Sequence, residues 1–342
     1  MDDIRIGIIG LGGICRARHV PGFRKIEGVR LCAVANRTRA SSERAAREAG
    51  IPEVCGSWQE LVARDDINTV VIGAWPYLHC EASVAALEAG KHVFCQARMA
   101  RNQEEAERMA AAARKSGRVA GLCPVPYGLS IDRLMARLLR ENTLGPVRYV
   151  TVSSFSDAWR DRNAPITWRK DQYLSGLNVQ TLGMFIEVIH RWFGWTTRVS
   201  AETFLFTNER PDVQGNMTPV RVPDQVIAAT VVGGNIPVHY VISGVSGFTG
   251  DAIGIYGEKC ALQYDVDHDI LYRCVNGAME PLEPEDDERY DVANWRVEQE
   301  FVDAIREGAP YHPDFEDGLQ YMKVIQAIHD AAATGKTVHV EA

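Results

Sequence analysis

Several chemistries are excluded by what this chain lacks. Its eight cysteines (Cys15, Cys32, Cys55, Cys80, Cys95, Cys123, Cys260 and Cys274) contain no Cys-x-x-Cys pair, so they offer neither zinc-site spacing nor a disulfide framework. Several fall inside apolar strands, as buried thiols do in a reducing compartment, and a cytoplasmic protein is the expectation. No stretch approaches the roughly 18 consecutive apolar residues of a membrane helix. Met1-Asp2-Asp3 leads straight into an apolar strand, without the regions of a secretory leader. Basic charge is scarce: 37 Lys and Arg against 45 Asp and Glu leave a net charge of -8, which argues against a nucleic-acid surface. The acidic stretches 283–288 and 265–269 lack EF-hand spacing and read as solvated loops, so no metal is expected. There is no Ser-His-Asp order signature and no P-loop.

At 342 residues, 46% hydrophobic and 24% charged, the chain is long enough for two globular domains with separate cores. Up to residue 123, strands (4–9, 30–35, 68–73, 92–95, 119–123) alternate with helices (from 17, 40–49, 78–89, from Asn102). Asn102 with Glu105 three residues on is a capping-box-like helix start. Beyond Pro124 and Pro126, strands 147–154, 198–206, 225–232, 237–245 and 251–256 are joined by Gly, Asn and Asp turns. Helices are expected at 178–193, 293–305 and 318–333. The expected fold class is α/β followed by α+β: a Rossmann doubly wound parallel sheet over 1–123, then an open-faced, mostly antiparallel sheet over 124–342. The last helices are free to pack back on the first domain.

The segment Gly10-Leu11-Gly12-Gly13-Ile14-Cys15, between strand and helix, has the pattern of a dinucleotide-phosphate cradle. Gly10 permits the tight turn and Gly12 lets backbone approach the pyrophosphate. The following helix start, from Gly13 and Ile14, supplies N–H groups and positive dipole. Cys15 stands where a third small residue is usual. Asn36 occupies the place of the ribose-reading residue, and with Arg37 it offers neutral and cationic donors that suit NADP(H), leaving NAD(H) open. The stretch 157–173 carries Trp159, Arg160, Arg162, Trp168, Arg169 and Lys170. Its aromatic faces suit stacking on sugar rings and its cations suit anionic groups; a subunit contact or a solvated loop is the alternative. His190, on an apolar helix, reads as core packing.

Together these segments resemble the glucose-fructose oxidoreductase/inositol dehydrogenase (Gfo/Idh/MocA) family over nearly the whole chain. The likeness rests on 10–15, on Ala74-Trp75-Pro76-Tyr77-Leu78-His79, on 85–95, and on 301–308 with Glu316-Asp317-Gly318. The resemblance implies NAD(P), a small-molecule substrate that is sugar-like or anionic, and a homodimer or homotetramer built on the sheet's outer face. It places Ala74, Trp75, His79, Gln96 and Arg98 on the cofactor side. It also reveals departures. The family's Glu-Lys-Pro reads Gln96-Ala97-Arg98, and in the second motif (176–187) Gln180 replaces an aspartate and Met184 a histidine.

Alcohol oxidation needs a group that accepts the hydroxyl proton near working pH. Ala97, Met184 and Gln180 cannot, and Arg98, with a pKa above roughly 12, is unsuited. Arg98 instead suits polarising a carbonyl or gripping an anion, and Gln180 suits orienting the reacting oxygen. Tyr127 and Tyr173, on junction segments, are substitute proton donors or packing residues. The leading expectation is an NAD(P)-dependent oxidoreductase of a small polar hydroxyl or carbonyl compound. A redox-neutral glycosidase or lyase using bound NAD(P) transiently stays open, as does a non-catalytic NADP(H)-binding sensor.

Overall fold

The apolar run after Asp3 forms strand β1, Ile4–Ile9, in which every residue but Arg5 is buried. In a computed structural model, which describes residues 3–124, 129–286, 288 and 296–341, β1 lies inside a six-stranded parallel sheet. Its companions are β2 (Val29–Ala35), β3 (Glu53–Val54), β4 (Thr69–Ile72), β5 (His92–Cys95) and β6 (Ala120–Leu122), in the order β3-β2-β1-β4-β5-β6. A parallel sheet must be covered on both faces, which is why β1, β4 and β5 read as near-continuous apolar runs. The order reverses between β1 and β4, and in open α/β sheets ligands settle in the crevice at that switch point.

The crossover helices are α1 (Val20–Arg24), α2 (Arg39–Ala49), α3 (Trp58–Val62), α4 (His79–Glu88) and α5 (Gln103–Ser116). Their ends are set by local chemistry. Thr38 caps α2 by accepting from Ser41 N, and Asn102 caps α5 by accepting from Glu105 N at 3.0 Å. Gly50 and Gly117 close the same helices in the left-handed conformation. The first helix departs from the sequence pattern: Cys15–His19 winds as a π-helical segment before α1 begins, with Pro21 in the first turn of α1.

The second unit carries helices α6 (Asp132–Arg140), α7 (Gln172–Ser175) and α8 (Leu182–Phe193) beside a nine-stranded sheet. Its strands are β7 (Val147–Phe155), β8 (Thr196–Phe204), β11 (Gln225–Val232), β12 (Ile236–Ser243), β13 (Gly250–Gly257), β14 (Ala261–Asp265), β15 (Ile270–Val275), β16 (Ala278–Pro281) and β17 (Val338–His339). A separate hairpin pairs β9 (Glu209–Pro211) with β10 (Met217–Pro219). The order β16-β15-β14-β13-β7-β12-β11-β8-β17 is antiparallel throughout except where β7 meets β12. Along β11, Val226, Ala228, Thr230 and Val232 are buried while Ile227 and Ala229 face out. One face is covered and the other open, as period-2 alternation requires. Helix α8 packs against β12 and α6.

After the segment that links it back, α9 (Val297–Glu307) joins the first unit, and α10 (Phe315–Thr334) divides at Leu319 between the two. The first unit thus comprises Met1–Tyr127 with Ala293–Leu319, and the second Gly128–Val292 with Gln320–Ala342. Phe94 on β5 is the hub of an aromatic cluster, with edge contacts to His19, Phe23, Phe301 and Tyr311 at centroid distances of 5.0–6.5 Å. On α8, Gly183 leaves room for Ile325 and Tyr321 of α10, which a Cβ would meet at 2.9 and 3.4 Å.

Two expectations change. Helix α8 starts at Leu182 rather than 178, because Gln180 adopts a left-handed conformation (φ 47°) that breaks helical continuity. The stretch 265–269 is the turn of the β14–β15 hairpin, but Glu288 in the other acidic run is no solvated residue. It is buried and ion-paired with Arg137, and that guanidinium draws its pKa down to about 2. Among the described residues no helix is long and apolar enough to cross a membrane, and no three His, Cys, Asp or Glu side chains form a metal-binding cluster.

Candidate functional site

The glycine turn opens a cleft of about 490 Å³ at the switch point of the first unit's sheet. It is lined by Gly10, Leu11 and Gly12 after β1, Asn36 to Thr38 and Ser41 after β2, Gly56 to Trp58, and Gly73 to Trp75 with Tyr77 and Leu78 after β4. Gly10 sits at φ 80°, and a Cβ there would stand 2.5 Å from Ala74 N, so only glycine fits. A Cβ on Gly12 would meet only carbonyl oxygens at 3.8 Å or more, which leaves this stretch of backbone approachable from the cleft. Cys15 also finds its reason here. Its Sγ fills the space above Gly73, where a Cβ would lie 2.1 Å from the sulfur. The tolerance that a third glycine usually provides is supplied by the glycine that follows the neighbouring strand, β4.

Asn36 holds the loop itself. Its Oδ1 accepts from Leu11 N at 2.7 Å, and its Nδ2 donates to Ser41 O and Oγ at 3.3 and 3.1 Å. Arg37 lies over the Trp75 ring at 5.8 Å, which joins the loops after β2 and β4 by a cation–π contact. Among the described residues lining the cleft there is no carboxylate; the charged ones are Arg16 and Arg37. The glycine positions, the donor set and the cleft volume fit a dinucleotide.

The nearby segment after β5 is pinned from below. His79 is fully buried, with Nε2 2.8 Å from Ala74 O and Nδ1 3.0 and 3.2 Å from Arg98 O and Met99 O. Burial pushes its pKa down against the pull of those carbonyls. It fastens the segment after β4 to that after β5 and is not among the residues lining the cleft. Gln96 is buried, and its carboxamide nitrogen contacts His19 Nε2, while His19 Nδ1 lies 2.5 Å from Glu298 Oε1. Glu298 and His19 are both buried. Neither was singled out from the sequence; the one available signal was a carboxylate in the apolar stripe that opens α9. Arg98 is also buried. Gly13 and Ile14 follow the turn, with Ile14 packed partly against the core.

In the second unit, Gln180 Nε2 reaches Ser156 Oγ at 3.3 Å, and Thr181 Oγ1 donates to Ser154 Oγ at 2.6 Å. Tyr173 is the second residue of α7 and is largely exposed. Tyr127 lies outside the described residues. The stretch 157–173 divides. Arg169 is stacked on Trp168 at 4.4 Å, but Trp159 and Lys170 are buried and act as structure. Lys170 Nζ lies 4.2 Å from the Trp159 ring centroid and 2.7 Å from Asp224 Oδ1. Asp224 also accepts from Phe206 N and Thr207 N at 2.7 and 3.1 Å. These two side chains are therefore committed to one another, leaving the exposed Arg160, Arg162 and Arg169 as the cations of this stretch that face solvent. His190 Nε2 accepts from Thr196 N at 3.2 Å, which fixes the start of β8.

Comparison with known proteins agrees with this geometry. A model described as "Oxidoreductase family, NAD-binding Rossmann fold" matches residues 4–122, and its companion, "Oxidoreductase family, C-terminal alpha/beta domain", matches 136–340. Levoglucosan dehydrogenase of Pseudarthrobacter phenanthrenivorans is 24% identical, covering 99% of each chain. D-xylose 1-dehydrogenase (NADP(+)) 2 of Haloferax volcanii is 27% identical over 98% of this chain and 99% of its own. A levoglucosan dehydrogenase solved in complex with NADH and L-sorbose shares the fold with a TM-score of 0.90 over the full length of both chains, at 20% identity.

Proposed function

The chain belongs to the Gfo/Idh/MocA oxidoreductase family, and on that premise we propose that it is a dehydrogenase of a small polyhydroxy compound of the sugar class, with NADP(H) as its preferred nucleotide. The observation that carries the nucleotide preference is the carboxylate-free cleft wall formed by Asn36, Arg37, Thr38 and Ser41. An acidic residue there would accept from a ribose 2′-hydroxyl and repel a 2′-phosphate; neutral and cationic donors do the reverse. The two relatives that act on levoglucosan and D-xylose support a sugar-like substrate.

In this reading Gly10, Gly12, Gly13 and Ile14 hold the diphosphate, and Asn36 keeps their loop in place while Arg37 meets the ribose phosphate. Ala74 and Trp75 flank the nucleotide, and His79 and Gln96 set the backbone at its nicotinamide end. When bound, the nucleotide supplies the hydride acceptor or donor. The chain supplies orientation: Arg98 as a fixed cationic donor for a carbonyl or anionic group, Gln180 as a neutral amide for the reacting oxygen, and Tyr173 or Tyr127 as a hydroxyl donor. The first domain (1–123) binds the nucleotide. The second (124–342) receives the substrate and, through the outward residues Ile227 and Phe204 on its open sheet face, builds a homodimer or homotetramer. Its mostly buried thiols suit a cytoplasmic setting.

The test is calorimetric titration with NADP+, NADPH, NAD+ and NADH, followed by nicotinamide absorbance against a panel of aldoses, anhydrosugars and polyols. Tighter NADP(H) binding and stoichiometric absorbance change are expected. Absence of heat with all four nucleotides overturns the proposal.

A further inference from the structure

Phe94 near the end of β5 and Gln96 just after it are two residues apart and lean to one face of the sheet. His19 meets both, from the π-helical segment Cys15–His19 that follows the glycine turn. Its ring stands edge-on to Phe94 at 5.0 Å, and its Nε2 contacts the Gln96 carboxamide nitrogen. Its Nδ1 lies 2.5 Å from Oε1 of Glu298 on α9. All three polar side chains are buried, and all three belong to the first unit. A carboxamide nitrogen can only donate, so His19 Nε2 accepts. The ring proton then sits on Nδ1 and is donated to the Glu298 carboxyl oxygen. The hydrogen bonds run in one direction, from Gln96 through His19 to Glu298. The amide nitrogen is spent on the imidazole, and the oxygen is what the carboxamide has left to offer.

The place of Gln96 gives that oxygen a use. Ile9, Ile72 and Cys95 are register partners across β1, β4 and β5, so Gly10, Gly73 and Gln96 follow in one row along the carboxyl edge of the sheet. Gly10 and Gly73 line the nucleotide cleft, and a dinucleotide spans the switch point from one half of such a sheet to the other. With the 2′-phosphate on the β2 side, the nicotinamide half falls on the β5 side. We propose that His19 and Glu298 are positioning residues for the nucleotide: they hold the Gln96 carboxamide with its oxygen reserved for an N–H or O–H donor of the nicotinamide half. This rests on the reading that the cleft takes NADP(H) with Gln96 at its nicotinamide end. His19 and Glu298 touch no nucleotide; they act through Gln96.

The packing around Glu298 keeps this chain of bonds intact. Gly22 of α1 leaves the room that the carboxyl fills, since a Cβ there would stand 2.6 Å from Glu298 Cδ. Cys15 and Cys123 add no competing anion. Burial pushes the Cys15 thiol up to about 12 and the Cys123 thiol well above its ordinary value, and the charge of Glu298 adds to both.

The test titrates the full chain calorimetrically with NADPH and with adenosine 2′,5′-bisphosphate, which lacks the nicotinamide half. Gln96→Met is expected to weaken NADPH about tenfold and to leave the bisphosphate unchanged. Glu298→Leu reproduces part of that loss, and adding it to Gln96→Met brings no further loss, because both act through one carboxamide. The 3-acetylpyridine analogue of NADP+ separates the two donors. A loss seen with NADP+ and absent with the analogue assigns the bond to the nicotinamide carboxamide, and an equal loss with both assigns it to the ribose hydroxyls. Nitrogen-15 resonances of His19 in the parent chain give a readout independent of any variant, with the proton expected on Nδ1 and none on Nε2. A protonated Nε2, an unchanged NADPH affinity in Gln96→Met, or additive losses in the double variant overturns the proposal. If the parent binds neither NADPH nor the bisphosphate, the nucleotide reading beneath it has failed instead.

Discussion

Asn36 Oδ1 accepts the Leu11 N–H at 2.7 Å, so the side chain that follows β2 holds the glycine loop that follows β1. A carboxylate can accept the same hydrogen bond, with the Ser41 hydroxyl turning to donate; only the longer 3.3 Å bond to Ser41 O is lost. Asn36→Asp therefore keeps the loop while adding a negative charge to the cleft wall. We expect the NADPH-to-NADH preference to fall about tenfold, or ~1.4 kcal/mol, measured as the ratio of dissociation constants. An unchanged ratio removes the role assigned to this wall.

The packing of Cys15 Sγ over Gly73 gives a second expectation. Gly73→Ala forces a methyl into the sulfur and costs about 1–3 kcal/mol by overpacking, read from urea denaturation, together with weaker nucleotide binding. Cys15→Ala in the same chain removes the sulfur contact and recovers part of both losses, the remainder persisting because the new Cβ also meets Gly10 O at 2.7 Å. Equal stability of the single and double variants would mean that the two side chains do not meet.

Lys170 and Asp224 form a buried pair, side chains 1% and 0% exposed. Removing one partner strands the other charge. Lys170→Met is expected to destabilise by about 3–5 kcal/mol, while the two backbone N–H groups on Asp224 keep the loop from unfolding outright. Lys170→Arg should fare poorly too, since burial and the Trp159 ring fit a compact ammonium rather than a planar fork. Chemical denaturation of both variants provides the check.

Glu288 offers a pH signature. Its native pKa, about 2, lies below its ordinary value of 4.5, so the contribution of Arg137–Glu288 is fully present above the ordinary carboxylate range. It is lost as pH falls from about 5 towards 2. Between those limits the stability of the parent enzyme should decline more steeply than that of Glu288→Gln. Parallel slopes in denaturation midpoints across that window would remove the pair from the account.

The first unit was legible wherever the signal was local. Alternating apolar strands, the glycine turn and the Asn102 cap each depend on neighbours within a few residues, and the structure reproduces them. Contacts that close over long separations left no comparable trace. His19 meets Glu298 and Lys170 meets Asp224, and nothing in either flanking sequence announces the partner. Trp159 and Lys170 look like ligand-binding residues by composition, yet tertiary packing buries them. The left-handed Gln180 was hidden for a related reason, since the apolar pattern of α8 continues through it.

Glu298 and Phe301 belong to the core that surrounds Phe94 and His19, although the ribosome delivers them long after the sixth strand has emerged. A truncated product ending near residue 123 would leave the imidazole of His19 without its Glu298 partner and one side of the aromatic hub open to water. The nucleotide-binding half is thus not an independent module in biosynthesis. Its maturation waits for the carboxy-terminal helices, and nascent chains released early are natural clients for chaperones or proteases.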